Sequence, residues 1–222
     1  MHIHRDFETE LRQLRESLLK MGGRVEQMIG EATRSLFARD VEAAAAVVIA
    51  DRAVNAAEMQ IDSVCLTIIA RRQPMGSDLR FITRALKMVT DLERIGDLAV
   101  NVARHAIDLA ELGEPDATVH PAIERMTEVV RGMVALALDA FVDRDPALAR
   151  QVIDRDDEVD ELHDQVYEET LALMLAQPSR LAFGIHVIDV ARFLERMGDH
   201  ACNVAEQVVF LVRGEDIRHP AP

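Results

Sequence analysis

One motif occurs twice in this chain, once in each half, and the repeat limits the folds that the chain can adopt. Residues 93–97 read Glu-Arg-Ile-Gly-Asp, and residues 195–199 read Glu-Arg-Met-Gly-Asp. An asparagine, Asn101 or Asn203, follows each aspartate by four residues. Residues four apart lie on one side of an α-helix, so each copy predicts a helix with one polar stripe. With an offset of 102 residues in a chain of 222, the repeat predicts two halves of similar structure.

Apolar residues spaced three and four apart run through most of the chain, which is the pattern of helices that bury one face. Six long helices are predicted, over about residues 5–38, 40–72, 77–112, 123–141 and 146–176, and from the turn at 177–178 to about 213. The predicted fold is all-α, with two tandem, pseudo-symmetric three-helix bundles. They occupy residues 1–113 and 114–222, separated at the Gly-Glu-Pro-Asp break of 113–116.

Particular residues are expected to start and stop these helices. Asp40 and Ser77 are expected to cap the second and third helices at their N-termini. Pro146 suits the first turn of the fifth helix, where a missing N–H costs nothing. The second and fifth helices should end at the Gln-Pro pairs of 73–74 and 177–178, since proline cannot continue a helix.

Charge and composition exclude several classes of protein. The formal net charge is −14, so a nucleic-acid surface, which needs clustered Lys and Arg, is not expected. Two cysteines make no disulfide framework, which indicates a reduced, cytoplasmic protein. The N-terminus has no apolar signal core. The longest apolar run, residues 43–50, is far shorter than the roughly 20 residues of a membrane helix, so no transmembrane segment is predicted.

The second and third helices are expected to form an antiparallel hairpin that turns near Met75. This pairing brings the polar stripe of the third helix against a second polar stripe on the second helix. The facing residues are Glu93, Asp97 and Asn101 on one side and Asp51, Asn55 and Glu58 on the other. The same pairing in the second half places Glu195, Asp199 and Asn203 opposite Asp156, Asp160 and His163.

Carboxylates this close repel one another and would not all stay ionised without a counterion. A bound cation resolves the conflict, and oxygen ligands suit hard ions such as Mg²⁺, Mn²⁺ or iron. Residues four apart rise about 6 Å along a helix, a span that suits carboxylates bridging metals about 3.5–4 Å apart. His163 would shift the second site towards iron or zinc. Each half is therefore predicted to hold a site for divalent or trivalent metal ions, with a ligand spacing that suits a multinuclear centre.

Other interpretations of these residues remain open. The acidic stripes could be solvated faces paired with Arg94 and Arg196, and His163 could point to solvent. The chain could also be a carboxylate-bridged multinuclear metal enzyme on a helical bundle, although residues 160–163, Asp-Glu-Leu-His, fit the Glu-x-x-His motif of such enzymes poorly. Four further histidines, His105, His120, His186 and His200, are interpreted as surface or core residues, and Cys65 and Cys202 as small core residues.

Several motifs together make the chain resemble the PhoU family of bacterial phosphate-uptake regulators over nearly its whole length. These motifs are Met-Gly-Gly-Arg-Val-Glu-Gln at 21–27, Ala-Arg-Arg-Gln-Pro at 70–74, Ser-Asp-Leu-Arg at 77–80, Leu-Glu-Arg-Ile-Gly-Asp at 92–97, Glu-Arg-Met-Gly-Asp at 195–199 and Gly-Glu-Asp-Ile-Arg-His at 214–219. The Glu-Arg-x-Gly-Asp pair in combination with the Gln-Pro turn is highly specific.

The resemblance implies two symmetric three-helix bundles, with iron or other multinuclear metal clusters at the Glu-x-x-x-Asp motifs of some members. It implies an accessory role rather than an enzymatic one, in which the protein damps the phosphate ABC transporter and its sensor histidine kinase when phosphate is plentiful. It also implies a homodimer in the cytoplasm that meets the inner membrane through partner proteins. Other members carry Tyr or an acid at the position of His163.

Overall fold

The computed structural model describes residues 2–114 and 116–214, and all regular structure within these ranges is helical. The α-helices are α1 (His2–Ala38), α2 (Val41–Arg72), α3 (Gly76–Glu111), α4 (Ala122–Asp143), α5 (Pro146–Ile153), α6 (Asp156–Ala176) and α7 (Leu181–Arg213). A single 3₁₀ turn, Pro178–Arg180, precedes α7. The prediction of an all-α fold is confirmed. The closing motif of the sequence, beyond residue 214, lies outside the described residues.

The predicted fifth helix is wrong as one continuous element, because the chain breaks at 154–155 into α5 and α6. The first turn of α6 holds three consecutive acids, Asp156, Asp157 and Glu158. Negative side chains stabilise the N-terminus of a helix through its dipole, so this run favours a new start over continuation of the old helix. The break matters for function because Asp156, a predicted ligand, lies at the beginning of α6 instead of in a helix interior.

Two of the predicted helix starts are confirmed. Asp40 caps α2 by accepting a hydrogen bond of 3.0 Å from the backbone N–H of Ala43. Asp145 caps α5 by accepting from the N–H of Ala147 at 2.7 Å, and Pro146 occupies the first turn. Each cap satisfies backbone donors that have no partner inside the helix.

The predicted cap at Ser77 is wrong. Helix α3 begins at Gly76, and its N-cap is Met75, which makes no side-chain cap bond. The turn from α2 to α3 explains the difference, because Gln73 ends α2 in the left-handed conformation at φ 48°. Gly76 follows with φ +59°, a backbone conformation that glycine adopts at little cost. The chain therefore reverses over a short turn, and the N-cap of α3 lies two residues earlier than predicted.

The two halves pack on each other along two pairs of helices, α3 against α7 and α1 against α4. Their buried apolar side chains form one continuous core. Phe81 of α3 stacks on Phe141 of α4, with ring centroids 5.4 Å apart. The buried hydroxyls of Thr33 and Thr127 lie 2.9 Å apart and share a hydrogen bond between α1 and α4. The division into domains at 113/114 stays a prediction, and both bundles contribute to the shared core.

Helix α2 is the one described helix that is long and apolar enough, by length and composition, to cross a membrane. It packs along α1 and α3 and also carries the polar stripe of the first half. Val47, Val54 and Ile61 on its buried face belong to the core. The contacts of α2 are therefore those of a bundle helix with one face exposed.

Candidate metal centres

The first carboxylate patch lies between α2 and α3, where the two helices approach closely. A Cβ atom built on Gly96 would lie 3.3 Å from Cγ1 of Val54 and 3.6 Å from Oδ1 of Asp51. The glycine of the repeated motif therefore lets α3 lie directly against the polar stripe of α2. The close approach brings Asp51 of α2 next to Asp97, the residue that follows the glycine.

Two oxygens of this first patch are buried without a hydrogen-bond donor, Oδ1 of Asp51 and Oδ1 of Asn55. The amide of Asn55 donates to the other carboxylate oxygen of Asp51, Oδ2, at 2.8 Å. This bond fixes both side chains and leaves their remaining oxygens free to accept. A buried acceptor without a partner costs about 1–3 kcal/mol, and a hard cation is a suitable partner for two such oxygens. The residues present therefore fit a metal ion.

Crowding of like charges contributes to raised pKa values in this patch. Burial raises the pKa of Asp51, and the Asp97 carboxylate adds to the rise. Burial also raises the pKa of Glu93, with Asp97 and then Glu58 and Asp51 acting in the same direction. The pKa shifts thus place four of the predicted acidic ligands, together with Asn55, in one electrostatic neighbourhood. A cation bound here would relieve the repulsion.

Arginine pairing, the alternative interpretation of the stripes, applies to the outer edge of the first patch. Arg94 lies 3.6 Å from Glu93 and 3.4 Å from Asp97, and its own side chain is exposed. Exposed pairs of this kind contribute little to stability. They do not reach the buried oxygen of Asp51 that has no hydrogen-bond donor. The exposed edge of the patch is therefore paired with arginine, whereas its buried interior contains oxygens without a hydrogen-bond donor.

The second patch repeats the arrangement between α6 and α7. A Cβ atom built on Gly198 would lie 3.3 Å from Oδ1 of Asp156 and 3.6 Å from Cγ1 of Val159. Gly198 is thus placed against Asp156 and Val159 as Gly96 is placed against Asp51 and Val54. The two motifs occupy equivalent positions in the two hairpins, as the repeat in the sequence predicted.

Repulsion between carboxylates affects three groups in the second patch. Burial raises the pKa of Asp156, and the carboxylates of Asp199 and Asp160 add to the rise. Burial raises the pKa of Glu195, with Asp199 adding to it. Burial also raises the pKa of Asp199, again with a contribution from Asp160. The four carboxylates that were predicted to share a site therefore influence one another directly.

His163 lies close enough to this second patch for its charge to lower the pKa of Glu195, against the larger effect of burial. Its Nδ1 lies 3.3 Å from Oδ1 of Asp164, the next residue on α6. The structure therefore places the imidazole beside Glu195 with a carboxylate partner of its own. Its role as a ligand stays a prediction.

The asparagine that follows each Glu-Arg-x-Gly-Asp motif has a partner outside the carboxylate patches. Oδ1 of Asn101 accepts a hydrogen bond from Arg104 at 3.3 Å. The amide of Asn203 donates to Asp91 of α3 at 3.3 Å, and Nδ1 of His200 lies 3.0 Å from the same carboxylate oxygen. Asn203 thus connects the second patch to the helix of the other half, a contact that the hairpin pairing did not predict.

Cys65 and Cys202 are buried and free, as predicted for small core residues. Burial raises the pKa of Cys65 to about 12. Burial raises the pKa of Cys202 as well, and the nearby Asp156 carboxylate acts in the same direction. Both therefore remain thiols at neutral pH and are poor nucleophiles and poor ligands.

One group of three His or acidic side chains in the described part of the chain has its ligand atoms within 4.8 Å of one another, and it belongs to neither patch. It consists of His105 and Asp108 of α3 and His186 of α7. Sequence reasoning interpreted both histidines as surface or core residues. A signal was available, because each histidine is followed three residues later by an aspartate, Asp108 or Asp189.

A duplicated helical bundle with an equivalent carboxylate-rich face on one hairpin of each half defines a class of tandem-repeat, all-α proteins. The family model of the PhoU domain matches this chain twice, at residues 18–106 and at residues 123–208. The chain belongs to the PhoU family. Both Glu-Arg-x-Gly-Asp motifs lie inside the matched residues.

Similar proteins cover almost the whole chain. A phosphate-specific transport system accessory protein PhoU homolog from Pseudomonas aeruginosa is 43% identical over 219 residues, which are 98% of this chain and 90% of the relative. A homolog of the same name from Aquifex aeolicus is 40% identical over 95% of this chain and 94% of its own length.

Two solved structures have the same fold. The crystal structure of PhoU from Pseudomonas aeruginosa has a TM-score of 0.90 and 42% sequence identity, and covers 94% of this chain and 100% of its own. The phosphate transport system regulatory protein PhoU from Streptococcus pneumoniae has a TM-score of 0.87 at 27% identity, and covers 96% of this chain and 100% of its own.

Proposed function

We propose that this chain regulates phosphate uptake and phosphate-starvation signalling as an accessory protein. In this role it damps the phosphate ABC transporter and the phosphate sensor histidine kinase when phosphate is plentiful. The observation that carries the proposal is the match, over 98% of the chain at 43% identity, to a relative named as an accessory protein of phosphate-specific transport. The relatives reported above bear accessory or regulatory names, which favours a regulator over the metal-enzyme alternative.

The proposal includes metal binding at both carboxylate patches. In the first patch the ligands are Glu93, Asp97, Asn101, Asp51, Asn55 and Glu58. In the second they are Glu195, Asp199, Asn203, Asp156, Asp160 and His163. The cation, whether iron, manganese, magnesium or zinc, supplies positive charge that neutralises crowded carboxylates. The support is the pair of buried oxygens without donors at Asp51 and Asn55.

The glycines and carboxylates of each patch determine how the two helices of the hairpin pack. Gly96 and Gly198 permit the helices of each hairpin to approach, and the carboxylates on both helices then face the same space. Holding them together fixes the two helices of the hairpin relative to each other. Metal occupancy is thereby linked to the stability of each hairpin, since an ion that binds the folded state stabilises it.

The partners in this proposal are membrane proteins, and the chain reaches the membrane through them. A chain with a net charge of −14 is repelled by anionic lipid and attracted to basic cytosolic segments of such proteins. We place the protein in the cytoplasm, peripheral at the inner membrane, and as a homodimer. Binding to protein-free anionic vesicles as strong as binding to membranes that carry the transporter would contradict this part.

The function is tested by deleting the gene and restoring it with variants. Deletion is expected to raise phosphate uptake and expression of phosphate-starvation genes in phosphate-rich medium, and the wild-type chain restores repression. Glu93→Gln combined with Glu195→Gln is expected to restore it less well. Glu16→Gln, at an exposed acid on α1 that is paired with Arg12 and belongs to neither patch, is the matched control and restores repression fully. Unchanged uptake and expression after deletion would refute the proposal.

A further inference from the structure

The crossing of α3 and α7 joins the two halves through a series of polar pairs. Helix α3 runs antiparallel to α7, so that its early residue Arg84 contacts the late residue Gln207 at 2.9 Å. Near the middle, Asp91 meets His200 at 3.0 Å. At the far end the pair consists of two histidines. This last pair is the only one of the three without a charged side chain of fixed sign.

The two histidines at this end point the same nitrogen at each other. Nδ1 of His105 lies 2.8 Å from Nδ1 of His186, and the ring centroids are 4.9 Å apart in an edge-on arrangement. Phe193 packs edge-on against the His105 ring at 5.4 Å. Both imidazoles are half-buried, so the rings are held in place by packing. Two ring nitrogens from different halves of the chain are therefore directed to one point.

A carboxylate completes the group. Asp108 lies one turn after His105 on α3 and is exposed, and its ligand atom is within 4.8 Å of those of both histidines. Two nitrogens bound to one tetrahedral zinc ion at about 2.1 Å would lie about 3.4 Å apart, so the two Nδ1 atoms, 2.8 Å apart, would separate by about 0.6 Å on binding zinc. Two histidines and one carboxylate form a common ligand set for divalent transition metals, with open positions left for water.

Charges around the histidines favour the form that binds a metal. Burial lowers the pKa of His105, and His186 adds to the lowering, so the imidazole is neutral at pH 7. The carboxylates of Asp189 and Asp108 raise this pKa to a smaller extent, and the Arg192 guanidinium lowers it further. Asp189 accepts a hydrogen bond from Arg192 at 2.7 Å, which engages this second carboxylate outside the group. A neutral imidazole has the lone pair that ligation requires.

We propose that His105, Asp108 and His186 form a third metal site, selective for borderline divalent ions such as Zn²⁺, that clamps the two halves together. Its ligands come from α3 and α7, whereas each carboxylate patch is built from one hairpin. Its chemistry also differs from that of the first patch, because imidazole nitrogen prefers zinc, whereas all-oxygen ligand sets prefer Mg²⁺ or Mn²⁺. The site does not depend on the proposed phosphate function, and either can fail without the other.

The test uses Zn²⁺ and the full chain. A background variant carries Glu93→Gln, Asp97→Asn, Glu195→Gln, Asp199→Asn and His163→Gln, so that zinc bound to the carboxylate patches does not obscure the result. Calorimetric titration of this chain is expected to show one zinc ion bound. Adding His105→Gln, His186→Gln or Asp108→Asn should each weaken binding by at least about tenfold. His120→Gln, whose imidazole has the single carboxylate partner Glu169, is the matched control and leaves binding unchanged.

A second measurement guards against misfolded variants. Crystals of the wild-type chain grown with Zn²⁺ are expected to show an anomalous peak at the zinc edge between His105 and His186. Zinc at about 100 times its dissociation constant should also raise the Tm of the background variant by about 5–10 °C, and His186→Gln should remove that shift. Absence of zinc from the background variant, or an anomalous peak only at the carboxylate patches, would overturn the proposal.

Discussion

Two adjacent glycines in the middle of α1 differ in what surrounds them, and the difference tests how the halves are docked. A Cβ atom on Gly22 would overlap Cδ1 of Leu138 on α4. A Cβ atom on Gly23 would meet nothing within 4 Å. Substituting each by alanine therefore changes helix propensity equally and changes the packing between the halves only at Gly22.

The magnitudes follow from this geometry. Alanine is favoured over glycine in a helix interior by about 1 kcal/mol, so Gly23→Ala should gain about that much, or about 2–4 °C in Tm for a chain of this size. Gly22→Ala gains the same stability from helix propensity, but it displaces the buried Leu138 side chain. Overpacking of this kind costs about 1–3 kcal/mol. Gly22→Ala should thus be less stable than Gly23→Ala by about 1–3 kcal/mol.

Urea unfolding followed by circular dichroism at 222 nm measures both variants beside the wild type. The double variant Gly22→Ala/Leu138→Ala serves as the matched control, because removing the leucine side chain removes the clash. It should show no additional cost from the added methyl group when compared with Leu138→Ala alone. If Gly22→Ala raised the unfolding midpoint as much as Gly23→Ala, the close contact of α1 with α4 would be refuted.

Two further predictions concern the first hairpin. The carboxyl groups of Asp51 and Glu93 have higher pKa values in the folded than in the unfolded state. In the metal-free protein their protonated forms therefore contribute stability fully below the pKa of the unfolded state, about 4, and this stability is lost as the pH rises through the folded-state pKa. Asp51→Asn and Glu93→Gln should therefore raise the Tm of chelator-treated protein near neutral pH and change it little in acid, and equal shifts at both pH values would contradict this. Gln73 holds a left-handed conformation at φ 48° that costs an ordinary residue about 1–2 kcal/mol. Gln73→Gly should raise the Tm by a few degrees, whereas a lower Tm would contradict the assignment of this turn.

The fold was predictable where local chemistry and the global pattern agree. Apolar periodicity identified the helices, and Asp40 is both the expected and the observed cap of α2. The break at 154–155 was missed because the apolar spacing continues across it, with Val152 and Val159 both buried seven residues apart. Asp156 belongs to the predicted polar stripe, but together with Asp157 and Glu158 it also stabilises a helix start.

The carboxylate patches could be located from sequence because they lie within hairpins. Facing stripes in a hairpin follow from the position of the turn, which is why Asp51 and Asp97 could be assigned to the same site in advance, although the predicted register placed Asp51 opposite Asn101. Contacts between the halves do not follow from any such rule. The pair of His105 with His186 and the bond from Asn203 to Asp91 depend on how α3 crosses α7, and a single sequence contains no direct measure of that crossing.

Metal content is the most direct test of the central claim, which is that each hairpin holds a cation on its carboxylate patch. The chain is purified without chelator, loaded with Mn²⁺ or iron, desalted and analysed by inductively coupled plasma mass spectrometry. Wild type should retain metal, and Glu93→Gln/Asp97→Asn and Glu195→Gln/Asp199→Asn should each lose the share of one patch. Glu16→Gln should retain all of it. Metal content that is the same in the wild type and both double variants, or absent from the wild type under every loading condition, would contradict the account.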